Sequence, residues 1–152
     1  MGKNEQRVKM IDISNKRPIL RIAEAYGRLK LRKETIERIK RGDVEKGNPF
    51  LIAKIAAINA VKMTPLLIPL CHPIPITHVD VECGVEDDEH VYCRAKVKAE
   101  AKTGVEMEAL TAVAVALLNI WDVVKMYEKD ERGQYPETQI ELIKVVEKVK
   151  LE

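Results

Sequence analysis

A carboxylate and an ammonium stand three residues apart in the second half of the chain. Asp122 and Lys125 follow the apolar run AVAVALLNIW, and residues three apart on a helix share a face. Because a helix that is apolar nearly all round is buried on most sides, we expect the pair to be partly desolvated. Desolvation and mutual pairing would shift their pKa values, as proton transfer requires. A surface ion pair is the plainer alternative.

A second acidic group, Glu106-Met107-Glu108, begins the same predicted helix. The stretch TGVE from Thr103 fits a capping box, in which Glu106 would serve the helix start. A solvated position is the default for Glu108, but both carboxylates could accept N–H donors of a guanine or pterin edge. Glu108 and Asp122 lie roughly 21 Å apart along a helix at 1.5 Å per residue. If both serve one reaction, different subunits must supply them.

Cys71 and His72 lie in the motif LCHP, with His78 nearby. These three residues could bind zinc, but their spacing is irregular for a metal site, and we predict no metal ligands. His72 could instead donate a proton or bind phosphate from a loop stiffened by prolines. A hydrogen-bonded loop histidine is the simplest interpretation of the segment alone.

A lysine, Lys46, precedes Gly47 and a helix predicted to begin near Pro49. A cation before a helix N-terminus is well placed to hold phosphate, whereas an exposed loop lysine is the ordinary alternative. The chain has neither a Walker motif nor a GxGxxG motif, so neither a P-loop nor a Rossmann phosphate site is predicted.

The hydrophobic pattern predicts the element order β-β-α-α-β-β-α-β in a single domain, residues 1–152. Hairpin-like neighbours indicate a mostly antiparallel sheet with helices on one face, an α+β layer. Thr64-Pro65 could open a further helical turn. The predicted strands cover residues 8–14, the stretch after Pro18, 79–85, 91–101 and 138–149, and the predicted helices cover residues 33–40, 49–63 and the stretch from Thr103.

The composition restricts the class of protein. The chain has 152 residues, 46% of them hydrophobic, and a net charge of +2, which does not favour a nucleic-acid-binding surface. Three cysteines argue against a full disulfide framework. The polar N-terminus and the lack of an evident membrane-spanning run predict a soluble cytoplasmic protein without a membrane partner.

Two long stretches, LIPLCHPIPIT and KTGVEMEALTAVAVALLNIWD, closely resemble the signature stretches of the molybdenum cofactor biosynthesis protein C family. MIDIS resembles the first strand of that family, and the KG dipeptide also matches. The resemblance extends from Met10 to Asp130. It implies a ferredoxin-like fold and a homohexamer built from dimers, with sites at subunit contacts.

The resemblance also implies an activity. The substrate would be the cyclised dihydro-GTP made by an upstream radical-SAM GTP cyclase, and a lyase reaction would yield cyclic pyranopterin monophosphate and pyrophosphate. No resident cofactor is implied, although Mg²⁺ could accompany the triphosphate. By motif, the implied catalytic residues are Asp122, Lys125 and Lys46, and the implied substrate-binding residues are Leu70, Cys71, His72, Glu106, Met107, Glu108, Arg21 and Lys148.

This sequence departs from the family pattern at three places. Bacterial members often carry two histidines before the KG lysine, where this chain has Val44-Glu45, and Asn48 replaces a usual Asp. The glycine-rich lysine tail is shortened, so matching Lys148 to it requires a short insertion. Two other functions remain open: a nucleotide-binding regulatory module of the same fold, and a zinc hydrolase.

Overall fold

The computed structural model describes residues 6–152, which form four strands and three helices. In chain order these are β1 (Ile19–Lys30), α1 (Lys33–Arg41), α2 (Pro49–Leu67), β2 (Ile76–Asp87), β3 (His90–Ala101), α3 (Glu106–Glu128) and β4 (Gln139–Leu151). The strands make one antiparallel sheet in the order β2-β3-β1-β4. Its inner face packs against the helices, which confirms the predicted α+β, ferredoxin-like fold.

The central strand β1 alternates buried and part-exposed residues along most of its length, as its sequence predicts. Ala23, Ala25 and Leu29 are fully buried on the helix side. Gly27 lies where α3 crosses the strand, and a Cβ there would collide with Val113 of α3 and the carbonyl oxygen of Leu142. Small side chains therefore let α3 lie close to the sheet.

Helices α2 and α3 are each long and apolar enough to cross a membrane by length and composition. This corrects the expectation that no run approaches that length. Both helices contribute their buried faces to the core on the sheet. Core helices of globular proteins pass the same test, so the property is weak evidence for a membrane span.

Three local predictions were wrong. Residues 8–14 form no strand, since no neighbouring strand pairs with them. Helix α2 does not end near Met63 but continues through Thr64-Pro65 to Leu67 as one helix, in which the Thr64 hydroxyl donates to the carbonyl oxygen of Ala60. The capping box does not form: Val105 precedes α3 and no side chain caps it.

Two cysteines link the hairpin of β2 and β3. Cys83 and Cys93 are directly opposite each other in register, with Cα atoms 4.2 Å apart, and form a disulfide. Cys71 is the remaining, free cysteine. The cysteine count alone did not predict this pairing.

Candidate functional site

A cleft of about 510 Å³ opens at the beginning of α3. We call it the N-end cleft. Its walls come from the segment before β1, the loop after α2 and the loop entering α3. It brings together five of the predicted substrate-binding residues: Leu70, Cys71, His72, Glu106 and Met107.

Glu106 forms the charged wall of the N-end cleft. Its Oε1 lies 2.5 Å from the ammonium of Lys148 on β4. A Cβ at Gly104 would collide with both carboxylate oxygens of Glu106, so glycine provides the room that this carboxylate occupies. Partial burial acts to raise the pKa of Glu106, but the bond to Lys148 and the nearby charge of Arg21 outweigh it and lower that pKa. Glu106 is therefore an ionised anchor held by cations.

Arg21 is a buried cation beside this cleft, only 7% exposed. Its Nε and Nη2 donate to the carbonyl oxygens of Ala101 and Lys102, at 3.4 and 3.3 Å. The guanidinium also lines an adjoining pocket of about 240 Å³ with Lys16, Arg17 and other residues. The structure thus places predicted Arg21 and Lys148 in the same charged region as Glu106.

Glu108 is buried to 99%, contrary to the solvated position expected for it. Cys71 Sγ donates to its Oε2 at 3.8 Å, while Oε1 is buried without a hydrogen-bond partner. Burial raises the pKa of the Glu108 carboxyl. Burial, together with the Glu108 charge, also raises the pKa of the Cys71 thiol. Cys71 lines the cleft directly, and Glu108 lies behind it.

His72 is held by the chain segment that precedes β1. Its Nε2 lies 2.6 Å from the carbonyl oxygen of Ile11. Among residues 6–152, no group of three His, Cys, Asp or Glu side chains is arranged to hold a metal ion. The zinc alternative based on Cys71, His72 and His78 therefore gains no support from the geometry.

The three predicted catalytic residues meet near the other end of α3, in what we call the C-end triad: Lys46, Asp122 and Lys125. Asp122 Oδ1 lies 2.9 Å from Lys125 Nζ, and Oδ2 lies 3.8 Å from Lys46 Nζ. Lys46 also donates to the backbone carbonyl of Asp122 at 3.2 Å. Two cations thus converge on one carboxylate.

The C-end triad is exposed in the single subunit, which corrects the expectation of partial desolvation. The Asp122 side chain is 61% exposed. The hydrogen bond and charge of Lys125, with the charge of Lys46, lower the pKa of Asp122, and the same pairing raises the pKa of Lys125. Both groups therefore stay charged in an isolated subunit.

One helix separates the two groups. Glu108 and Asp122 both lie on α3, roughly 21 Å apart at 1.5 Å per residue. The structure thus brings the predicted site residues together in two separate groups, which we call half-sites, rather than in one.

Sequence reasoning missed residues that support these half-sites. Lys16 and Asp12 line the N-end cleft, and the only available signal was their place within and just after MIDIS. Tyr127 belongs to no recognisable sequence motif. Its hydroxyl nevertheless accepts a hydrogen bond from the backbone N–H of Glu45, next to Lys46. Glu128 is 1% exposed and fixes the last turn of α3 through Thr138 and Thr35.

Comparison with known proteins accounts for nearly the whole chain. The model of the MoaC family matches residues 10–150. A "probable cyclic pyranopterin monophosphate synthase" of Sulfurisphaera tokodaii is 58% identical over 142 residues, 93% of each chain. A protein of the same description from Thermococcus onnurineus is 57% identical over 149 residues, covering 98% of this chain and 95% of the relative.

A third relative with that description, from Methanococcoides burtonii, is 56% identical over 96% of this chain and 91% of its own length. The matched region contains both the N-end cleft and the C-end triad, from Ile11 through Lys148. The family model spans almost the whole chain and these relatives are 56–58% identical to it, and the chain belongs to the MoaC family.

Proposed function

We propose that this protein is a cyclic pyranopterin monophosphate synthase of molybdenum cofactor biosynthesis. It converts cyclised dihydro-GTP into cyclic pyranopterin monophosphate and releases pyrophosphate, which is a lyase reaction. The observation that carries the proposal is a family match spanning residues 10–150, with relatives of that description at 54–58% identity. The two half-sites supply the chemistry this reaction needs.

The phosphate part of the reaction requires cations. A substrate hydroxyl attacks the innermost phosphorus, a cyclic phosphate ester forms, and the bond to the pyrophosphate leaving group breaks. Lys46, Arg21 and Lys148 are the cations we assign to the polyphosphate, where they offset charge that develops on the leaving group. Mg²⁺ would enter with the triphosphate as part of the substrate, and no resident cofactor is assigned.

Opening the five-membered purine ring requires water, a base and an acid. We assign Asp122 and Lys125 as this proton-transfer couple, since their charged atoms are 2.9 Å apart. In an isolated subunit their pKa values are pushed apart. A neighbouring subunit or bound substrate that covers them would desolvate both groups, raising the pKa of Asp122 and lowering that of Lys125 towards neutrality.

The N-end cleft takes the heterocycle. Glu106 is ionised and can accept N–H donors of a guanine-like edge, with Met107 packing beside it. Leu70 and Cys71 form the facing wall, and His72 orients the substrate or moves a proton. Glu108 lies behind Cys71, whose thiol donates to its carboxylate.

The working unit is a homo-oligomer with the two half-sites of each active site drawn from different subunits; we assign a hexamer built from dimers. Two features support assembly. The half-sites are too far apart on α3 for one small ligand. Large apolar side chains are also exposed along α2 and α3, among them Leu51, Ile55, Met63, Leu66, Leu118 and Met126.

We place the protein in the cytoplasm, downstream of the radical-SAM GTP cyclase whose product it consumes. The decisive experiment incubates purified protein with that cyclised dihydro-GTP intermediate and measures pyrophosphate and cyclic pyranopterin monophosphate together. Equimolar formation of both is expected. Tight binding of the intermediate without pyrophosphate would support the nucleotide-binding module instead, and stoichiometric zinc by elemental analysis would support a hydrolase.

A further inference from the structure

Tyr127, in the last turns of α3, contacts the loop that carries Lys46. Its hydroxyl oxygen accepts a hydrogen bond from the backbone N–H of Glu45 at 2.9 Å. That N–H belongs to the Val44–Glu45 peptide, one residue before Lys46, so this bond fixes the backbone that leads into Lys46. Among the described residues, the Tyr127 side chain makes no hydrogen bond to Asp122 or Lys125, and its contact with the C-end triad is through Glu45, beside Lys46.

Arg38 of α1 holds the ring of Tyr127 from the other side. Its guanidinium lies 4.4 Å from the ring centroid, within the range of a cation–π contact. The same guanidinium donates from Nη1 to the carboxylate and the carbonyl oxygen of Asp43, at 3.1 and 3.3 Å. Arg38 therefore ties the start of the loop to the aromatic ring that binds its middle.

The backbone around Tyr127 is also fixed. Arg32, just before α1, donates from Nη1 to the carbonyl oxygen of Tyr127 at 3.0 Å, and its backbone N–H donates to the carboxylate of Glu128 at 3.1 Å. The end of α3 is thus attached to the beginning of α1. A residue mounted on this rigid junction can hold a loop in place.

Lys46 needs such support. A lysine side chain loses considerable rotamer freedom when its ammonium is held in one place. The Lys46 ammonium extends from an exposed loop and lies 3.2 Å from the backbone carbonyl oxygen of Asp122 and 3.8 Å from its Oδ2. We propose that Tyr127, braced by Arg38, is a positioning residue that holds the Val44–Glu45 peptide so that the Lys46 ammonium lies beside Asp122. This inference rests on the roles proposed above for Lys46 and Asp122.

The test replaces Tyr127 with Phe, which removes the hydroxyl and keeps the ring for Arg38. Titration of the Asp122 carboxyl, followed by NMR of the full chain without substrate, is the readout. Because the charge of Lys46 lowers the pKa of Asp122, a loosened Lys46 should let that pKa rise. Tyr92→Phe is the matched control: its hydroxyl bonds to Glu82 on the opposite face of the sheet, and the Asp122 titration should not change.

A second arm shows whether the effect passes through Lys46. In a Lys46→Ala background, Tyr127→Phe should produce no additional shift of the Asp122 titration. In the otherwise wild-type chain we expect kcat/KM for the cyclised intermediate to fall about tenfold, since small misplacements of catalytic groups are costly. Equal thermal unfolding of Tyr127→Phe and wild type would show that the fold is retained.

The outcomes separate the two proposals. An Asp122 titration that is identical in wild type and Tyr127→Phe overturns the positioning role, whatever the activity. A further shift in the Lys46→Ala background does so as well. A shift of the titration without any change in turnover supports the positioning role and counts against the catalytic role proposed for Asp122.

Discussion

The two ends of α3 hold their carboxylates in opposite environments. At the N-terminal end, Glu108 is 1% exposed and burial raises its pKa. Near the C-terminal end, Asp122 is 61% exposed and two lysines lower its pKa. Under the proposed function, a buried acid suits shaping and orienting a neutral heterocycle, whereas an open, cation-rich carboxylate suits a charged substrate. The two ends of α3 therefore differ in burial and charge, as the proposal of two complementary half-sites requires.

The largest expected effect on turnover comes from substitutions in the exposed C-end triad. Asp122→Asn and Lys125→Ala should each lower kcat by at least about 10²-fold, the usual scale of acid–base catalysis. Steady-state pyrophosphate release measures it, with circular dichroism to confirm the fold. Glu37→Gln and Lys40→Ala are matched controls, because this exposed pair on α1 has the same three-residue spacing. Near-normal turnover of either Asp122→Asn or Lys125→Ala would remove that residue from the mechanism.

The sequence predicts only part of the difference in burial between the two ends of α3. Helix α3 and its apolar character were predictable, but the orientation of the helix was not. Glu108 is followed at intervals of four by Ala112, Ala116 and Ile120, all fully buried. That spacing places Glu108 on the side of α3 that faces the core. This signal is missed when the segment is treated as apolar on all sides.

Asp122 lies on a different stripe, between Leu118 and Met126, which are both exposed in the single subunit. The apolar run before Asp122 led to the prediction that this position is partly desolvated. Only the packed structure shows that this stripe faces away from the sheet. Their exposure is nevertheless what a subunit contact beside Asp122 would require.

Long-range pairing was the least predictable part of the site. Lys148 meets Glu106 because β4 pairs with β1, where Lys148 lies opposite Ala23 in a register that shifts between Glu24 and Ala25. Nothing local to residues 138–149 encodes that shift. By contrast, Leu70, Cys71 and His72, which the motif groups together, all line the N-end cleft because they are consecutive residues of one loop.

A mixing experiment tests whether the two ends of one α3 belong to different active sites. Asp122→Asn and His72→Ala subunits, which we expect to be strongly impaired when each is assayed alone, are unfolded together and refolded at equal amounts. If every site takes one half from each of two subunits, random assembly leaves about a quarter of the sites intact, and turnover recovers accordingly. The control refolds each variant alone. Turnover that stays at the level of the separate variants would mean that one subunit supplies both halves.

A smaller effect is expected from the buried end. Because burial raises the folded-state pKa of Glu108 above its value in the unfolded chain, the folded state binds more protons, and the Glu108 contribution to stability declines as pH rises above about 4.5. Glu108→Gln has nearly the same shape and no charge to desolvate. The melting temperature of Glu108→Gln relative to wild type should therefore increase by a few degrees from pH 4 to pH 8.

The matched control for this comparison is Asp122→Asn. The Asp122 carboxylate of the wild type has a lowered folded-state pKa. The pH dependence of the stability difference should therefore have the opposite sign, and wild type gains stability relative to Asp122→Asn as pH rises from 3 to 5. Differential scanning calorimetry from pH 3 to pH 8 measures both comparisons. If the stability difference changed with pH in the same direction for Glu108→Gln and Asp122→Asn, the contrast in burial between the two carboxylates would be contradicted.

The smallest expected effect is the coupling between Glu106 and Lys148, the ion pair of the N-end cleft. Their charged atoms are 2.5 Å apart and the Glu106 side chain is 21% exposed. A double-mutant cycle of Glu106→Gln and Lys148→Ala, measured by urea unfolding at pH 7, should give a coupling of about 0.5–1 kcal/mol. The pKa of Glu106 is lowered by the pair, so the coupling is present above its unfolded value near pH 4.5 and is lost as pH falls through the folded value. A coupling that persists at pH 2 would have to come from packing, and Lys148 would then serve the cleft as a spacer rather than as a charge.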